Sequence, residues 1–264
     1  MAAMKQRSGA FLQRNLRSLV KRSAIPLADA SGSYAVQHLP EWMASSGFDF
    51  TRWRAMWVAQ NPRNDRSDLV RLVMFIENAR LVATQSVPGS IAEVGVYKGT
   101  TAKLLHELLP DRTLWLFDTF EGFDERDLAG EQGASPSTFR DTSLEAVLAH
   151  IGPSERVRPC KGYFPATASA VPDDERFALI HLDADLGKPT RDALEFFYPR
   201  LSPGGFLILH DYGGGAWPGV AEAVDAFLAD KPESLVRIPD RSGTAIVRRV
   251  KLHPHASRLS EGGR

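Results

Sequence analysis

Ile91-Ala92-Glu93-Val94-Gly95-Val96-Tyr97-Lys98-Gly99-Thr100-Thr101 joins a short apolar run to a helical stretch through two glycines spaced four apart. An apolar tetrapeptide ending on a glycine turn predicts a buried strand feeding a helix, the repeating unit of a parallel sheet. On both sides the same alternation continues. Upstream, Asp68 is placed to cap a helix whose Leu69, Leu72, Val73, Ile76, Ala79 and Val82 recur at helical spacing until Pro88-Gly89 ends it. Downstream come a helix over 100–109, a strand over 114–117, a strand over 177–182, a helix opening at Pro189, a strand over 206–209 and a helix over 220–228. Two last strands near 234–238 and 244–249 are separated by only five residues, which predicts an antiparallel hairpin. The expectation is an α/β, doubly wound, mostly parallel sheet with that hairpin at its C-terminal end and a helical extension at its N-terminus.

Composition narrows the function classes. The 264-residue chain holds 32 basic and 32 acidic side chains and a single cysteine, Cys160, so an intramolecular disulfide framework and a cysteine zinc cluster are excluded. A lone thiol fits a reducing compartment, and the expected location is the cytoplasm. No run approaches the 18 apolar residues of a membrane span. The charges are uneven: Lys5, Arg7, Arg14, Arg17, Lys21 and Arg22 precede any acid, and five basics face one acid from 248 onward. The middle keeps 21 basic against 31 acidic residues, an acidic body unsuited to nucleic acid. The expected organisation is a basic arm and Trp-rich extension (Trp42, Trp53, Trp57) over 1–67, a core domain over 68–250, and a basic, unstructured tail over 251–264. Phe11, Leu12, Leu16, Leu19 and Val20 can form one face of a short helix, for a partner subunit or for a membrane surface. The polar, glycine-rich stretch 119–141 is too long for an ordinary connection and is expected to be a binding loop.

The glycine turn lacks the third glycine of the dinucleotide fingerprint, which argues against NAD. Glu93 before the first glycine suits a ligand with a cationic amino group, such as S-adenosylmethionine, and Asp118 at the next strand end can hold ribose hydroxyls. His181-Leu182-Asp183-Ala184-Asp185 closes a strongly apolar strand, and His210-Asp211-Tyr212 closes the next. Asp183, His210 and Asp211 are thereby brought to one sheet edge, where they can bind Mg²⁺ or another divalent ion. His181 either faces that site or is a buried structural histidine. A different reading takes Asp183-Ala184-Asp185 as the D-x-D metal clamp of a nucleotide-sugar glycosyltransferase, which leaves Glu93-Val94-Gly95 without a role.

Several of these stretches together resemble the macrocin O-methyltransferase family, bacterial S-adenosylmethionine-dependent enzymes that methylate sugar hydroxyls on antibiotics and related glycans. They are Glu93 to Gly99, Phe117-Asp118-Thr119-Phe120-Glu121-Gly122-Phe123, Lys161-Gly162-Tyr163-Phe164, Leu182 to Leu186, Tyr198 to Gly205, Asp211-Tyr212 and Ala223 to Phe227. The resemblance implies a class I, Rossmann-like methyltransferase fold with a seven-stranded sheet, a homodimer, and a Mg²⁺ on Asp183 and Asp211, with Asp185 as general base. It also implies cofactor contacts from Glu93, Gly95, Val96, Tyr97, Gly99, Thr100, Asp118, Thr119, Gly162, Tyr163 and Asp183. Two positions depart from the family pattern: His210 stands where an Asp is usual, and Gly187 where a Tyr is usual. Imidazole is a softer donor than carboxylate, so His210 is expected to bind a different metal, to coordinate weakly, or to act as a base itself. These two departures also admit a module that binds the cofactor without catalysis. The acceptor is a small-molecule or glycan hydroxyl; a phenolic acceptor stays open, because fold alone does not choose.

Overall fold

A computed structural model of the chain describes residues 50–60, 68–131 and 133–250, together with Leu19 and residues 22–24. The basic arm, Trp42, most of the proposed N-terminal helix face and the tail over 251–264 lie outside the described residues. The described residues from Arg52 onward belong to one compact unit. Its elements run α1 (Phe50–Gln60), α2 (Leu69–Thr84), β1 (Ser90–Val94), α3 (Thr100–Leu108), β2 (Leu114–Asp118), α4 (Leu144–Ile151) and β3 (Val157–Lys161). Then follow β4 (Phe177–Leu182), α5 (Gly187–Phe197), β5 (Leu201–Leu209), α6 (Pro218–Leu228), β6 (Leu235–Arg237) and β7 (Ala245–Arg248).

The sheet has seven strands in the order β3-β2-β1-β4-β5-β7-β6. Strands β1 to β5 pair in parallel, while β7 runs antiparallel to both β5 and β6, so the expected hairpin forms and closes the sheet edge. Strand order reverses between β1 and β4. Crossovers leave in opposite directions there, opening a crevice at the carboxyl ends of the strands. β4 lies between β1 and β5 with all six residues buried, which is why Phe177–Leu182 reads as one apolar run rather than as an alternation. Phe197 of α5 packs edge-on against Phe117 of β2 and Phe177 of β4, at 5.6 and 5.0 Å between ring centres, and pins that helix over the sheet.

Helix α2 starts as expected: the Asp68 carboxylate accepts from Arg71 N at 3.1 Å. Trp53 and Trp57 of the extension are buried on α1. Three sequence expectations move. β5 begins at Leu201, not Phe206, because Pro203-Gly204-Gly205 runs through a register shift inside the strand instead of ending a loop. Helix α5 opens two residues before Pro189, at Gly187, leaving the proline in the first turn, where its missing N–H costs nothing. The third is Lys161-Gly162-Tyr163-Phe164, expected to follow a strand: Lys161 is itself the last residue of β3.

Candidate active site

At the switch point lies a cavity of about 750 Å³ bounded by the glycine turn, the ends of β2 and β4, and the 119–141 loop. Its floor is the turn after β1. Gly95 has φ +81°, and a Cβ there would fall 2.0 Å from the Asp183 carbonyl oxygen, so only glycine lets the two strand ends approach. Gly99, at φ +76°, precedes the α3 N-terminus.

Asp118 shapes this turn. Its Oδ2 accepts from Val96 N at 2.6 Å and from Tyr97 N at 2.9 Å, and its Oδ1 accepts from Phe120 N at 2.6 Å. The Thr119 hydroxyl, 3.5 Å from Oδ1, gives its one proton to the Gly122 carbonyl at 2.5 Å, so of a carboxylate's roughly four acceptor positions one remains for a further donor. Tyr97, Phe120, Asp185 and Asp211 all take positive φ without being glycine, and Tyr97 and Asp185 line the cavity. Backbone strain of this kind collects at functional sites.

Two buried clusters meet behind the turn. Glu93 Oε1 lies 2.9 Å from His181 Nδ1, and burial drives both groups toward their neutral forms, the carboxyl well up and the imidazole down to about 3. His181 is therefore the structural partner of Glu93. In the second cluster, His210 Nδ1 stands 2.5 Å from Asp183 Oδ1 and 2.8 Å from Asp211 Oδ2. Burial alone would lower the His210 pKa, yet the Asp183 and Asp211 carboxylates lift it to about 10. The same imidazole holds Asp183 below the usual carboxylate range, although burial works the other way. Asp185 is pushed well upward by burial and by its neighbours Asp183 and Asp211.

Asp183, His210 and Asp211 each offer a ligand atom, all within 4.8 Å of one another, as spacing alone suggested. Two carboxylate oxygens and one imidazole nitrogen fit a divalent cation. The nitrogen suits Mn²⁺, Fe²⁺, Co²⁺ or Zn²⁺ better than Mg²⁺, which favours an all-oxygen shell. Cys160 is buried, with its thiol raised to about 11, and plays no part in this chemistry.

The loop expected over 119–141 borders the cavity with an aromatic wall: Phe139 meets Tyr97 at 5.0 Å and Phe123 at 5.4 Å between ring centres, and Phe123 meets Trp217 at 5.9 Å. Beyond it, Tyr97 Oη donates to Asp141 at 2.6 Å. Val96, Thr100, Thr119, Gly162 and Tyr163 also line the cavity. Tyr163 has one face covered by the Arg126 guanidinium, 3.5 Å from the ring centre, and donates its hydroxyl to Asp127 at 3.1 Å. Sequence reasoning overlooked Arg71, a buried cation lining the same cavity. The signal was present: Arg71 shares a helix face with Phe75, Asn78 and Val82, a stripe that is otherwise almost entirely uncharged.

Residues 68–241 match the family model of macrocin-O-methyltransferase (TylF), which spans well over half of the chain. The chain belongs to the macrocin O-methyltransferase family. Among relatives of this family, it is 33% identical over 158 residues to the mycinamicin III 3''-O-methyltransferase of Micromonospora griseorubida, covering 53% of this chain and 61% of that protein. It is 34% identical over 148 residues to the 8-demethyl-8-(2,3-dimethoxy-alpha-L-rhamnosyl)-tetracenomycin-C 4'-O-methyltransferase of Streptomyces olivaceus, covering 50% of this chain and 56% of that one. The alignments thus span less than two thirds of either relative. The solved structure of the O-methyltransferase NovP superimposes with a TM-score of 0.60 at 30% identity, covering 69% of this chain and 80% of NovP. The sheet is accordingly that of a class I methyltransferase. Membership in this family removes the support for reading Asp183-Ala184-Asp185 as a glycosyltransferase clamp.

Proposed function

We propose that the chain is an S-adenosylmethionine-dependent O-methyltransferase that methylates a sugar hydroxyl on a glycosylated natural product or bacterial glycan, with a divalent cation held by Asp183, His210 and Asp211. The observation that carries this reading is the convergence, in one cavity, of the Gly95 turn with Asp183, Asp185 and His210, with Asp211 within ligand distance of Asp183 and His210. The domain over 68–250 acts as the catalytic unit. A cytoplasmic homodimer is the accompanying expectation; among the described residues, no helix is long and apolar enough to cross a membrane.

Methyl transfer from a sulfonium is an in-line displacement, so most of the protein's work is orientation. Glu93, Gly95 and Gly99 bed the cofactor against the glycine turn, and Asp118 offers its remaining acceptor position to a ribose hydroxyl. Gly162 and Tyr163, both lining the cavity, would flank the adenine. The acceptor enters under the Phe123, Phe139 and Trp217 wall. A bound divalent cation would lower the pKa of a coordinated sugar hydroxyl and fix its position. Asp185, whose carboxylate is made more basic by burial and by its acidic neighbours, accepts the hydroxyl proton. His210 is poorly suited to that role, since a ring nitrogen that holds the cation has no lone pair left to accept a proton.

The test is methyl transfer from labelled S-adenosylmethionine to sugars carrying vicinal hydroxyls, after chelation and metal add-back. Activity is expected to return more fully with Mn²⁺ or Co²⁺ than with Mg²⁺, and His210→Asp should move the preference toward Mg²⁺. Full activity after exhaustive chelation would overturn the metal's part. Cofactor binding without turnover on any hydroxyl acceptor would overturn the enzymatic reading.

A further inference from the structure

Arg71 is 6% exposed on the first turn of α2 and lines the cavity, yet its Nε is buried with no hydrogen-bond partner. Among the described residues its guanidinium forms no ion pair. Across the same cavity, Glu93 Oε2 is likewise buried and unpartnered, its other oxygen being taken by His181. A charged group this deep is ordinarily paired or hydrogen-bonded, so a buried guanidinium without an ion pair and a buried carboxyl that stays neutral for want of a cation, both lining one cavity, describe the ligand that completes them. It carries a cation for Glu93 and an anion for Arg71 on neighbouring atoms. That is the chemistry of an α-amino acid zwitterion.

Resting on the methyltransferase reading above, we infer that Arg71 receives the α-carboxylate of the cofactor's amino-acid end while Glu93 Oε2 receives its α-ammonium. The placement agrees with the backbone. Glu93 ends in the glycine turn that beds the cofactor, and α2 packs next to β4 and α3 on the cofactor side of the sheet. Arg71 also acts electrostatically on Glu93, Asp183 and His210, so it borders both acid clusters while bonding to neither. A guanidinium offers a planar fork of donors matched to a carboxylate, a geometry lysine does not reproduce. Arg71 is therefore a binding residue that orients the methionyl end, and through it the sulfonium, without touching the acceptor.

Decarboxylated S-adenosylmethionine, which keeps the amine and the sulfonium and loses only the carboxylate, isolates this contact. Calorimetry on the full chain is expected to give the wild type a ~10- to 100-fold preference for S-adenosylmethionine over the decarboxylated analogue, the range of a charged hydrogen bond. Arg71→Met should abolish that preference by weakening S-adenosylmethionine alone, and Arg71→Lys should keep part of it. Circular dichroism on each variant confirms folding, and the wild-type comparison stands even where a variant does not fold. Equal affinity of the wild type for the two ligands would overturn the assignment of Arg71 and leave the cofactor reading intact. Equal weakening of both ligands by Arg71→Met would also overturn it, since a merely structural arginine acts on both. Failure of the wild type to bind either ligand would sink the cofactor reading and this inference together.

Discussion

Asp185→Asn is expected to lower kcat by ~10²- to 10⁴-fold, the usual yield of a positioned general base, with S-adenosylmethionine affinity changed by less than about threefold. The amide keeps the size of the side chain and removes the only property the reaction needs, a basic oxygen. Asp185 leaves β4 two residues after Asp183, in a left-handed conformation with φ 60° that turns it away from the strand and along the cavity. Its carboxyl is pushed upward by burial and by Asp183 and Asp211, which makes it a better proton acceptor at neutral pH than an ordinary aspartate. Kinetics at saturating acceptor, paired with calorimetry, separate chemistry from binding. An unchanged kcat would remove Asp185 from the mechanism and return the search for a base to the other strand ends.

Gly95→Ala is expected to cost on the order of 3 kcal/mol or more in stability and to abolish cofactor binding. Two independent costs coincide there. The residue sits at φ +81°, and its new Cβ would lie 2.0 Å from the Asp183 carbonyl, a backbone atom at the end of the central strand that has no room to withdraw. The Asp183 N–H donates to Val94 O at 2.8 Å, so a shift at either strand end breaks the ladder where the site is built. Gly130→Ala is the control: it is also left-handed, at φ +87°, but nothing lies within 4 Å of the added carbon. It should cost only about 1 kcal/mol, with cofactor affinity retained. Denaturant unfolding of the two variants beside the wild type gives the comparison, and equal costs would show that the close approach at Gly95 matters little.

The strand ends were legible in the sequence because a buried parallel strand writes itself as a short apolar run, and the residue that leaves it lands at the crevice. Glu93, Asp118 and Asp183, which line the cavity, and Asp211, which clusters with Asp183, were found by that rule alone. What escaped depends on groups far apart in sequence. Nothing local marks Asp118 as the clasp for Val96 and Tyr97, since that bond joins residues more than 20 positions apart. Arg71 was lost among the apolar positions of its helix, and the cover of Arg126 over Tyr163 depends on how the 119–141 loop folds back. Helix α4, only eight residues long, fell below the length at which a periodic pattern stands out. The early start of β5 was hidden by Pro203-Gly204-Gly205, residues that elsewhere end a strand and here bend it. His210 was recognised as a departure, but its position between two carboxylates became evident only once β4 and β5 were seen side by side.

The most direct test of the central claim is calorimetric titration of S-adenosylmethionine into the wild type and into Asp118→Ala. Micromolar binding by the wild type, weakened at least ~10-fold when both the turn clasp and the ribose acceptor are removed, is the predicted result. No binding of S-adenosylmethionine by the folded wild type, alongside measurable affinity for a nucleotide sugar, would contradict the account.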